Sequence, residues 1–152
     1  MKKALAIVAT LIVGAAVVGP THVSAAKLSA KPSMTLTAHL SGKNEVGAAG
    51  PKSGSGMATI RIYMPSHRQC YTLSVAGFKL PALAAHIHAG KAGKNGPVLV
   101  PFPTAPGKTG KATGCVSVKS SVLTAISHHP SSYYVNVHTA TYPGGAVRGQ
   151  LM

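Results

Sequence analysis

Met34-Thr35-Leu36-Thr37-Ala38-His39-Leu40 alternates apolar and polar residues one by one: Met34, Leu36, Ala38 and Leu40 share one parity, and Thr35, Thr37 and His39 the other. A period of two sends successive side chains to opposite faces of an extended chain, so this run reads as a strand with one face on a core. The same beat returns further along. Ala58, Ile60 and Ile62 alternate with Thr59, Arg61 and Tyr63, and Tyr71, Leu73 and Val75 with Cys70, Thr72 and Ser74. Tyr133, Val135 and Val137 alternate with Tyr134, Asn136 and His138. Fainter versions lie at residues 84–88, 98–100, 113–118 and 146–151, with Gly, Pro, Ser and Asn clustered between them as turns require. Residues 121–126 alone offer a useful helical turn, and Pro130 halts it. About eight short strands with close turn signals predict an all-β fold, an antiparallel β-sandwich or flattened Greek-key barrel.

The amino terminus reads differently. Met1-Lys2-Lys3 is a short positive segment, and residues 4–18 form an apolar run broken only by Thr10 and Gly14. Gly19-Pro20 ends any helix there, and Val23-Ser24-Ala25 places small residues where a signal peptidase reads. A membrane span needs about 18 or more apolar residues, so this run predicts a cleaved secretory signal peptide over residues 1–25. A flexible lead-in over residues 26–33 and one domain over residues 34–152 would follow. The expected product is exported, periplasmic or secreted, with no stable membrane span. An oxidising compartment favours joining Cys70 to Cys115, the only two cysteines, which have no CxxC spacing. Such a bridge stabilises by about 4 kcal/mol in the chain-entropy model. Both cysteines have the parity opposite their apolar neighbours, so the bridge should pin two strands on an outer face.

Composition closes several functional classes. Fifteen Lys+Arg stand against one acid, Glu45, giving a formal charge of +14. One carboxylate supplies neither the acid/base pair of glycoside cleavage nor an oxygen cage for calcium or magnesium. No GxSxG, no phosphate-cradling Gly-rich loop before a helix, and no acid to orient a histidine beside a serine are present. The chain is therefore not expected to be an enzyme. With 11% charged and 45% hydrophobic residues it is not a disordered polyelectrolyte either. Lys43, Lys52, Lys79, Lys91, Lys94, Lys108, Lys111 and Lys119 are scattered singly, and the arginines are Arg61, Arg68 and Arg148. Nucleic-acid surfaces want clustered cations with stacking rings, so no nucleic-acid partner is expected. The charge suits adhesion to anionic envelope polymers or to another secreted protein. The scarcity of acids also suits life in an acidic exterior, because acid denaturation works largely by protonating carboxylates that support the native state.

Four blocks then give the chain a specific look. They are Ala38-His39-Leu40-Ser41-Gly42 with Glu45-Val46; His86-Ile87-His88-Ala89-Gly90 with Gly93-Lys94-Asn95-Gly96-Pro97-Val98; Tyr134-Val135-Asn136-Val137-His138-Thr139; and Gly144-Gly145-Ala146-Val147-Arg148-Gly149-Gln150-Leu151. Together they resemble the CHRD domain, named for its repeats in chordin and also found alone in secreted bacterial proteins. The likeness runs from about Thr35 to Leu151 with its blocks in family order. Gly47-Ala48-Ala49 stands where the family usually has prolines, and Ala146 where it usually has an acid. The resemblance implies a secreted, non-enzymatic binding or envelope-associated module.

His86 and His88 lie two apart on one strand, so their side chains leave the same face about 7 Å apart. With His138 from a second strand they make an all-imidazole set suited to copper or zinc at about 2.0–2.1 Å per bond. A similar HxH with a later histidine supplies the copper ligands of copper–zinc superoxide dismutases, often secreted sandwiches too, and the expected fold resembles them in outline. The resemblance is local. Val98 follows Gly96-Pro97 where that family carries a bridging histidine, and the chain has no aspartate for zinc, so two-metal dismutase chemistry is not expected. The alternative is a structural network in which the three histidines hydrogen-bond to backbone and to Asn136, Tyr134 or Arg148, with Thr139 and Gln150 in the same motif. His22 falls within the signal segment, His39 and His67 are isolated, and His128-His129 is expected in a loop. Three readings stand side by side: a non-enzymatic binding module, a copper- or zinc-binding envelope protein, and an acid-adapted structural protein without a specific ligand.

Overall fold

The computed structural model describes residues 31–47 and 50–152. The expected signal peptide and most of the lead-in lie outside the described residues. Eight strands form: β1 (Met34–Ser41), β2 (Ser55–Tyr63), β3 (Arg68–Ala76), β4 (Ala84–Ala89), β5 (Val98–Pro101), β6 (Lys111–Ser117), β7 (Tyr133–His138) and β8 (Val147–Gln150). They make one antiparallel sheet in the order β5-β4-β7-β8-β1-β2-β3-β6. The fold is all-β, as the period-two runs predict, and its two layers are halves of a single curled sheet. Strongly twisted sheets of this size curl, which brings the far halves face to face. Leu36, Ile60 and Leu73 from β1–β3 accordingly share one apolar core with Ile87, Val135 and Val137 from β4 and β7.

Parity does the sorting. Leu36, Ala38 and Leu40, then Ala58, Ile60 and Ile62, then Tyr71, Leu73 and Val75 are all buried, while their alternates are not. Tyr71 stacks on Phe102 with ring centroids 4.1 Å apart, and its hydroxyl donates to the Thr104 carbonyl at 3.0 Å. Ser33 is tied to the end of β2, donating its N–H to the Ile62 carbonyl at 2.7 Å. The helical segment, α1 (Ser120–His128), is longer than the sequence suggests because Leu123 and Ile126 both reach the core. His128 therefore ends this helix, where a loop was expected.

Cys70 stands directly opposite Cys115 in the β3–β6 register, and the two are bonded with S–S at 2.07 Å and a sequence separation of 45. Both lie on the face turned away from Tyr71 and Leu73, where their parity places them. No helix among the described residues is long and apolar enough to cross a membrane. At the other end of the sheet, Tyr134, Val135, Asn136 and Val137 of β7 are all buried, so this strand is covered on both faces. One face meets the core. The other carries the candidate site.

Candidate metal centre

Register assembles the site. In β4–β7, Ala84 pairs with His138, His86 with Asn136, and His88 with Tyr134; in β7–β8, Asn136 pairs with Arg148 and Tyr134 with Gln150. Directly paired residues share a sheet face. One face of three adjacent strands therefore presents His86, His88, His138, Tyr134, Asn136, Arg148 and Gln150, while Ala85, Ile87, Val135 and Val137 of the same strands enter the core. His86 and His138 are diagonal neighbours, with ring centroids 5.1 Å apart; His86 and His88 are at 5.4 Å, and His88 and His138 at 6.2 Å. One nitrogen from each ring lies within 4.8 Å of the others.

Backbone carbonyls fix the tautomers of two rings. His88 Nδ1 lies 3.0 Å from the Gly96 oxygen, and His138 Nδ1 lies 2.9 Å from the Pro143 oxygen. A carbonyl only accepts, so each Nδ1 carries the proton and each neutral ring turns a bare Nε2 lone pair elsewhere. Those Nε2 atoms, together with His86 Nδ1, are buried without any hydrogen-bond partner. Buried ring nitrogens left this way are costly unless something pairs with them. A second contact from the distal ring nitrogen to a carbonyl is how metal-bound histidines are usually oriented.

The electrostatics agree. Burial, followed by the neighbouring rings of His138 and His88, pushes the His86 pKa down to about 4. Burial also lowers His88 and His138, opposed by their bonds to the Gly96 and Pro143 carbonyls. All three rings are then neutral near pH 7, the form that coordinates a metal. Three imidazoles with no thiolate or carboxylate fit copper or zinc by donor type.

Around the trio stands a shell of fixed partners. Tyr134 stacks on His88 at 4.8 Å with the rings 7° from parallel. The Arg148 guanidinium carbon sits 3.5 Å over the other side of Tyr134, and Arg148 is 1% exposed. Its Nη1 donates to Asn95 Oδ1 at 3.0 Å and its Nη2 to the Lys94 carbonyl at 2.9 Å, pinning the loop that supplies the Gly96 oxygen. Asn136 donates to Glu45 Oε1 at 2.7 Å. Burial raises the Glu45 pKa to about 7, against the opposing pull of Arg148 and the Asn136 bond. Gln150 Nε2 faces the Gly90, Ser131 and Tyr133 carbonyls at 3.0, 2.8 and 3.2 Å. Thr139 caps its own turn, accepting from the Tyr142 N–H at 3.1 Å.

Of the residues singled out from sequence, His86, His88 and His138 meet, Asn136 and Arg148 surround them, and Gln150 and Thr139 brace the loops. None of the three rings bonds to Asn136, the Tyr134 hydroxyl or Arg148; the bonds they make go to backbone. Sequence reasoning missed Tyr134 as the plate between His88 and Arg148, and Glu45 as the partner of Asn136. The second was within reach, because Glu45 is the only acidic side chain in the sequence.

No characterised protein and no solved structure matches the chain. The model of the CHRD domain matches residues 36–151, which include every residue of this site, and the chain belongs to the CHRD family.

Proposed function

We propose that this protein is an exported, non-enzymatic CHRD module that holds one copper or zinc ion on His86, His88 and His138. One observation carries the reading: three buried imidazole nitrogens face one another without partners while the opposite nitrogens of two rings are tied to carbonyls. A purely structural network would use those lone pairs, and here it leaves them free. Membership in a family of non-enzymatic modules supports the absence of catalysis. The Cys70–Cys115 bridge and the signal-like residues 1–25 support export. A bound ion would act as a staple across β4 and β7 or as cargo. The lysines from Lys43 to Lys119 are all exposed, which supports additional adhesion to anionic envelope polymers.

Calorimetric titration of zinc and of copper into metal-free, untagged protein tests the reading. One ion per chain should bind with a rise in melting temperature, since a ligand at a hundred times its Kd stabilises by about 2.7 kcal/mol. His86→Ala and His138→Ala should each abolish tight binding. No heat and no change in melting would overturn it.

A further inference from the structure

We propose that the three-histidine centre selects copper in its monovalent state over divalent copper and zinc, an inference that rests on the metal reading above. Charge is the first argument. The donors are three neutral imidazoles, and no other His, Cys, Asp or Glu joins the cluster among the described residues. An ion placed there keeps its full charge. The only side-chain carboxylate in the chain, Glu45, is already engaged by Asn136 and stands beside Arg148. The nearest fixed charge on the other side is the buried Arg148 guanidinium, one tyrosine ring away from His88. The desolvation cost of an ion grows with the square of its charge, so a divalent ion is penalised about fourfold more than a monovalent one. Repulsion from Arg148 and from the lysine-rich surface doubles as well.

Coordination number is the second argument. Divalent copper prefers a tetragonal array of nitrogen and oxygen donors, and zinc beside three histidines must also hold a water or other fourth ligand to complete its tetrahedron. Here two donors leave one strand and one leaves its neighbour, all from the same sheet face, which gives a trio on one side of the ion and no planar set of four. Monovalent copper is satisfied by three nitrogens. The rings are also held against rearrangement, because His88 is clamped between Gly96 and the Tyr134 plate and His138 by Pro143.

Affinities measured by competition decide it: monovalent copper against bathocuproine disulfonate without oxygen, divalent copper against glycine, and zinc against a chromophoric chelator, all with the untagged full chain. The expected result is monovalent copper bound at least about a hundredfold more tightly than divalent copper. For a one-electron couple this places the bound pair about 120 mV above the aqueous one. Zinc should bind more weakly than monovalent copper. Arg148→Gln should narrow the copper ratio by about three- to tenfold while the three ligands remain; a folded variant with an unchanged ratio overturns the role given to the guanidinium. The wild-type ratio stands as the test if that variant fails to fold. Divalent copper or zinc bound as tightly as monovalent copper would overturn the selectivity and leave the metal site standing. No binding of any ion would overturn both.

Discussion

At the scale of the residue, His88 carries three demands at once. Its Nδ1–H is spent on Gly96, its Nε2 faces the other two rings, and its flat face lies on Tyr134. Each contact removes a rotational choice, so the ligand is oriented before any ion arrives. Gly149 makes a complementary point about backbone. A Cβ there would run into the His39 carbonyl group, which is backbone and cannot swing aside. Gly149→Ala should therefore lose about 1–3 kcal/mol, in the range of overpacking substitutions, when unfolded in urea. A loss below about 0.5 kcal/mol would contradict the close approach of β1 and β8. The HxH spacing of His86 and His88 was legible in the sequence because a strand repeats every two residues. Which nitrogen of His88 and of His138 stays bare was not, because the carbonyls of Gly96 and Pro143 decide it, and those come from loops. Glu45 was hidden for a similar reason: its partner Asn136 is 91 residues away.

Among the elements, the strands themselves were written in parity, and their burial follows it with few exceptions. β7 is one of them. Its run Tyr134-Val135-Asn136-Val137 is buried throughout, since loops cover the face that alternation leaves polar. The order of strands was not legible, because adjacency such as β4 beside β7 depends on pairings between distant segments that no local pattern encodes. The two cysteines are an instructive middle case. Their parity foretold an outer-face bridge, and the β3–β6 register sets them opposite one another. Replacing both with serine should lower stability by about 4 kcal/mol in the chain-entropy model, with denaturation in urea as the measurement. His86, His88 and His138 lie on β4 and β7, away from this bridge, so ion binding at them should persist in the folded variant. A loss below about 1 kcal/mol would show that the bridge does little to restrain the unfolded chain.

For the whole molecule, charge and pH bring the histidines and the lone acid into opposition. The three site histidines have pKa values lowered by burial, His86 to about 4 from 6.5. A lowered value means the unfolded chain binds more protons, so their contribution is full above pH 6.5 and is lost as the pH falls toward 4. Glu45 runs the other way. Its value is raised from 4.5 to about 7, so its contribution is full below pH 4.5 and is lost as the pH rises through 7. Three groups outweigh one, and the excess positive charge of +14 adds self-repulsion as the histidines charge. The metal-free protein should therefore melt at progressively lower temperature from pH 6.5 to pH 4, and His86→Ala should flatten that slope. A melting temperature that holds or climbs toward pH 4 would restore the acid-adapted reading, which the lowered pKa values of the three site histidines argue against.

X-ray absorption at the metal edge reads directly where an ion sits. Protein loaded with one equivalent of copper or zinc should show a first shell containing three nitrogens at about 2.0 Å with the outer scattering of imidazole rings. His86→Ala should remove one of them. A shell of oxygens alone, or one with fewer than two imidazoles in the unaltered chain, would contradict the three-histidine centre.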